Sequence, residues 1–140
     1  VDAVVCSDYG DGTLSTPVIA AALTHSLSVV DAQKHLARYQ GATIFTPNLP
    51  EAEQAVGYPL IKTSDGDGLA ILRKGGKDLL NLTQAQQILS TRGEQGMSLF
   101  HTDGSEHHIP AFNRTDVFDV TGAGDTVVAA LTLAMTLGAS

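Results

Sequence analysis

Short apolar runs alternate with amphipathic ones along this chain of 140 residues. "VDAVVCSDYGDG" reads as a buried strand from Val1 to Ser7 that enters a Gly/Asp loop. "STPVIAAAL" predicts a helix with Ser15 or Thr16 as N-cap and Pro17 at the first helical position. "SLSVVDAQ" is a second short strand ending at Asp31, and "ATIFTPN" is a third. "NLPEAEQAVG" starts a helix: Asn48 caps it, Pro50 sits early, and Glu51 falls three after the cap, as in a capping box. "DGLAILRKGGKDLLNL" predicts a helix with a glycine interruption. "QQILSTRGEQGMSLFHTDG" predicts strand, turn, strand, with the turn from Arg92 to Gly96, and "SEHHIPAF" a further extended piece. A last helix starts near Ala123.

Apolar strands alternating with helices predict an α/β fold, a parallel sheet buried on both faces by helices. In such sheets ligands sit at the carboxyl ends of the strands. Asp8, Asp31, Asn48, Arg92 and Asp125 all follow strand-like runs or stand where a loop enters a helix, so this fold collects them along one rim.

Composition narrows the partners. With 43% hydrophobic and 16% charged residues the chain has globular material for one domain with a core. A net charge of −7 and scattered Lys and Arg argue against a nucleic-acid or anionic-membrane surface. Cys6 is the sole cysteine, which excludes an internal disulfide, and its apolar neighbours predict a buried thiol. The apolar run from Val127 to Leu137 is too short for a membrane span, and Thr132 and Thr136 interrupt it. No signal peptide pattern opens the chain, so a cytoplasmic location is expected. The chain starts without Met inside a strand-like run and ends just after a helix, which points to a piece of a longer protein.

"DVTGAGDTVVAALTLAMTLGAS" holds the clearest chemistry. Gly122 and Gly124 let a ligand approach their amides closely. The first amides of a helix lack intrahelical partners and carry partial positive charge, which makes an anion site. Asp125 beside that site suits a base that takes a proton from a group attacking a bound phosphate. A tight turn with Asp125 as a simple helix cap remains the alternative. The glycines do not fit the dinucleotide pattern G-x-G-x-x-G after a strand.

"DVTGAGDTVVAA" resembles the C-terminal signature of the ribokinase-like (PfkB) carbohydrate kinases. "TPNLPEAE" resembles the family's N-x-x-E element and "TRGEQGMSLF" its T-x-G-x-x-G strand-turn-strand, in the same order and spacing. More narrowly, "SDYGDG", "RYQGATIFTPNLPEAE", "TRGEQGMSLF" and "VFDVTGAGDTVVAAL" are similar to the heptose-7-phosphate kinase domain of ADP-heptose synthases. The resemblance covers nearly the whole chain and implies ATP- and Mg²⁺-dependent transfer of phosphate to a sugar hydroxyl. Narrowly, that hydroxyl is O1 of a heptose 7-phosphate used for lipopolysaccharide-type precursors. It implies Asp125 as base and the amides of Gly122, Ala123 and Gly124 as the anion hole. Asn48 and Glu51 would organise Mg²⁺ and water, oxygen donors that suit a hard cation; the capping box is their compatible structural reading. Thr91, Arg92 and Gly93 would lie along ATP, Asp119 would belong to a monovalent-cation loop, and Asp8 and Asp31 would face the sugar.

The chain departs from the heptose kinases where they often read "SDYGKG" and "DPK": here Asp11 and Gln33 stand instead of basic residues, which bears on the sugar. Val127 replaces the family's usual Phe, an apolar exchange. The family fold is about twice this long, so a partial domain is expected: the phosphoryl-transfer part, without most of the sugar site. Such a piece is expected to expose an apolar sheet edge and self-associate as a homo-oligomer. Another ribokinase-like sugar or nucleoside kinase, and a non-catalytic nucleotide-binding or assembly module, are the competing readings. His101, His107 and His108 are expected at the surface rather than on a metal, and "DGDG" from Asp65 to Gly68 lacks the closing acid of a calcium loop and predicts a turn.

Overall fold

The computed structural model describes residues 1–60, 66–111 and 122–139. The elements are β1 (Val4–Asp8), α1 (Thr16–Leu23), β2 (Ser28–Ala32), a 3-10 turn (Leu36–Tyr39), β3 (Ile44–Phe45) and α2 (Leu49–Val56). They continue with α3 (Gly66–Thr83), β4 (Gln87–Thr91), a second 3-10 turn (Gly93–Gln95), β5 (Met97–His101), β6 (Glu106–Ile109) and α4 (Ala123–Thr136).

The strands form one six-stranded sheet in the order β1-β2-β3-β4-β5-β6. β1 to β4 are parallel, as the alternating pattern predicts. β5 and β6 fold back antiparallel, so the sheet is mixed. The short Arg92 to Gly96 turn explains this: it can join only antiparallel neighbours, whereas each parallel step needs a crossover.

Successive residues of each central strand enter opposite cores, the consequence of a two-residue repeat buried on both faces. Val30, Phe45 and Ile88 pack on one face with Ile19 of α1, Leu49 of α2 and Leu72 and Leu79 of α3. Val29, Ile44 and Leu89 pack on the other with Val128 of α4. The sheet is therefore covered by helices on both sides. Cys6 is buried within it, as expected, and burial pushes its thiol pKa up. β1 forms one sheet edge, where Val5 is 44% exposed. No helix among the described residues is long and apolar enough to cross a membrane.

Several boundaries move. β1 begins at Val4 and takes in Asp8, and β2 runs past Asp31 to Ala32. Ser15 is the N-cap of α1. The expected glycine interruption in α3 is corrected: the helix runs unbroken through Gly75 and Gly76. A Cβ at Gly75 would collide with the Leu60 side chain, and one at Gly76 with the Phe100 ring. These glycines bring the helix backbone down onto core side chains, and that packing overrides their low helix propensity. The turn expected over "DGDG" is likewise corrected, since α3 already begins at Gly66; Asp65 lies outside the described residues.

Candidate active site

The carboxyl ends of β1, β2, β3 and β4 and the start of α4 surround a cleft of about 180 Å³. Of the residues singled out from sequence, Asp8, Asp31, Asn48, Glu51, Thr91, Gly122, Gly124 and Asp125 line it. Chain topology accounts for the convergence, because parallel strands all end on the same side.

Asn48 reaches the rim as the N-cap of α2. Its Oδ1 accepts from the Glu51 backbone N–H at 2.9 Å, and Glu51 Oε2 accepts from the Asn48 N–H at 2.9 Å. The predicted capping box is therefore present. It engages one Glu51 carboxylate oxygen. Asn48 also forms a parallel bridge with Thr91, whose N–H donates to the Pro47 carbonyl at 3.1 Å, so the ends of β3 and β4 are held together.

α4 starts differently. Gly122, its N-cap, has φ +79° and supplies no side-chain cap. Gly122, Ala123, Gly124 and Asp125 are all exposed. A Cβ on Gly124 would meet nothing within 4 Å. The first turn of this helix is thus exposed and uncapped by a side chain; Gly122, Gly124 and Asp125 line the cleft, and Ala123 is not on its lining. Asp119 lies outside the described residues, as does the rest of the segment before Gly122.

The cleft is strongly negative. Burial pushes the Asp31 carboxyl above the usual range, a Thr46 hydroxyl at 3.3 Å opposes that, and the charge of Asp125 adds to it. Burial likewise raises Glu51, and the charge of Asp31 adds to it. Asp31, Glu51 and Asp125 thus repel one another across one space, and among the described residues no group of three acids, histidines or cysteines is placed to hold a metal ion.

Asp8 lines the cleft and is also tied into the core. It is 4% exposed, and both oxygens are engaged: Oδ2 accepts from the Tyr39 hydroxyl at 2.5 Å and Oδ1 from the Gly10 N–H at 2.8 Å. The Tyr39 hydrogen bond is the main cause that holds its carboxyl below the usual range, with Arg38 also contributing at 3.6 Å. Arg92 is not on the cleft lining. Its guanidinium folds back onto the Gln95 side chain at 3.4 Å and carbonyl at 3.3 Å, and its Nε is buried without a partner. Gly93 lies exposed in the same turn with φ +57°.

Sequence reasoning missed Tyr9, which lines the cleft and donates to Asp125 Oδ1 at 3.4 Å. Its signal was its place directly after Asp8 in the "SDYGDG" loop. Lys34 was also missed: its stem packs over Gly10, so a cation stands beside this loop despite Asp11 and Gln33.

The pattern that defines the pfkB family carbohydrate kinases matches residues 11–140, and the chain belongs to that family. It is 41% identical over 139 residues to the bifunctional protein HldE of Gluconacetobacter diazotrophicus, covering 95% of this chain and 27% of that protein. It is 43% identical over 143 residues to the bifunctional protein HldE of a Shewanella species, strain ANA-3, covering 99% and 28%. The chain therefore spans little more than a quarter of the length of these curated relatives. The fold is that of Arabidopsis thaliana ribokinase complexed with ribose and ATP, with a TM-score of 0.75, 22% identity, and coverage of 98% of this chain and 44% of that one.

Proposed function

We propose that this chain is the phosphoryl-transfer part of an ATP-dependent sugar kinase, and that the acceptor is a heptose phosphate. One observation carries the reading: the uncapped start of α4, with Asp125 in its first turn, faces the Asn48–Glu51 cap across a single cleft. Similarity to the HldE proteins along nearly the whole chain supports the heptose.

ATP and the sugar are the substrates. The amides of Gly122, Ala123 and Gly124 orient the transferring phosphoryl group and stabilise the charge that develops on it. The Asp125 carboxylate takes the proton from the acceptor hydroxyl; that oxygen forms the new bond to phosphorus as the bond to ADP breaks. Asn48 and Glu51 would hold Mg²⁺ through water, and the metal would supply charge neutralisation on the phosphates; Asp31 would face the sugar. Thr91 and Gly93 flank the nucleotide side. Arg92 has a supporting part in its own turn. A monovalent cation near Asp119 belongs to the same reading.

Positioning the acceptor against the base supplies about 7–11 kcal/mol of barrier reduction in well-oriented reactions. Parts of the whole protein beyond this chain are proposed to hold the sugar, so the chain alone is expected to fold and not to turn over. The decisive experiment is Asp125→Asn in the whole protein. Turnover should fall by at least about a hundredfold, the scale of general-base catalysis, with ATP affinity nearly unchanged. Near-normal turnover would remove Asp125 from the mechanism.

A further inference from the structure

We propose that Tyr9 is a positioning residue for Asp125: its hydroxyl holds the Asp125 carboxylate at the angle from which it meets the acceptor. The inference rests on Asp125 as the base and extends it to a residue with no assigned role.

Asp125 is exposed at a helix start whose other residues present no side-chain cap. Left alone, such a carboxylate samples several rotamers. Among the described residues, only Tyr9 donates to it from a side chain, with the hydroxyl 3.4 Å from Oδ1. The donor comes from the other end of the chain, from the loop after β1.

That loop is braced from beneath. Asp8, one residue before Tyr9, binds the Gly10 N–H at 2.8 Å and the Tyr39 hydroxyl at 2.5 Å. Tyr39 is fully buried and fixes this network to the core. Arg38 clamps the far end of the loop by donating to the Leu14 carbonyl at 2.7 Å. The backbone that carries Tyr9 is therefore held by two neighbours of one 3-10 turn. The ring itself is 58% exposed at the mouth of the cleft, so removing its hydroxyl leaves no buried cavity.

The test compares Tyr9→Phe, Asp125→Asn and the double variant in the whole protein, with ATP-dependent sugar phosphorylation as readout. Tyr9→Phe should lower kcat about fivefold, the net scale of one ordinary hydrogen bond, with KM for ATP and for sugar and the thermal midpoint unchanged. In the Asp125→Asn background the same change should cost nothing further, since the two act as one unit. An unchanged kcat in Tyr9→Phe overturns the proposal while leaving the base intact. A raised sugar KM with unchanged kcat overturns it too, by placing the hydroxyl on the substrate. Wild-type turnover in Asp125→Asn removes the base itself, and the positioning with it.

Discussion

Two helices begin at the same rim, and they begin in opposite ways. α2 is closed by its own side chains: Asn48 and Glu51 satisfy each other's backbone amides. α4 starts at two glycines and carries no side-chain cap. A helix start has unpaired donors that must find acceptors somewhere. Where the sequence supplies the acceptors, the turn is a structural joint that also presents its leftover oxygens. Where it withholds them, the acceptor is water or a ligand, and an anion suits such a site. The difference separates a self-capped side of the cleft from an uncapped one.

That contrast can be broken from either end. Gly124→Ala should have the larger effect. The new methyl meets open space in the protein, so helix propensity should raise stability by about 0.5–1 kcal/mol. On the proposed mechanism the same methyl stands in the path of the phosphoryl group, and turnover should fall about tenfold or more; a thermal melt and a kinase assay on one preparation check both signs. Unchanged turnover would mean that the open amides bind nothing.

At the closed end, Asn48→Ala should cost about 1 kcal/mol of stability through loss of the cap. Glu51→Gln should instead raise the Mg²⁺ concentration needed for half-maximal rate severalfold without lowering the melting midpoint at pH 7. The sign follows from burial: Glu51 has its carboxyl raised, so its ionised form is a cost to the fold above that pKa, and a neutral amide avoids it. A lower midpoint with unchanged metal dependence would make Glu51 only a cap.

Asp8 gives the smallest and opposite effect. Its carboxyl is lowered, mainly by the Tyr39 hydroxyl, so its stabilisation is present above about pH 4 and fades as pH falls through its folded pKa. Asp8→Asn should show a denaturant-midpoint deficit at neutral pH that shrinks toward pH 3.

Much of this was legible in the chain. The capping box at Asn48, the glycine turn at Gly122 and the apolar strands are local patterns, and local patterns survive folding. Gly75 and Gly76 misled because their function is to admit Leu60 and Phe100, which are distant in sequence. Asp8 lines the cleft as its place at a strand end suggests, but its bonds to Tyr39 and Gly10 depend on the folded chain. Tyr9 escaped notice because its partner lies 116 residues away. The resemblance sets Arg92 along ATP, and the fold of its own turn brings the guanidinium onto Gln95.

β4 has a parallel neighbour on one side and an antiparallel one on the other. The two sides differ in the order in which they can assemble. Thr91 meets Met97 across one tight turn, whereas Phe45 must wait for α2 and α3 to be laid down before it meets Ile88. Closing the short loop costs less chain entropy, so the β4-β5-β6 ribbon is expected to nucleate folding and the cleft to close late. Truncating Leu89 or Leu99 should then slow refolding, while truncating Val29 should mainly speed unfolding. The reverse pattern in stopped-flow chevrons would put the seed in the parallel half. With the ribbon as the seed, the chemistry of the rim would be the last thing a newly made chain acquires.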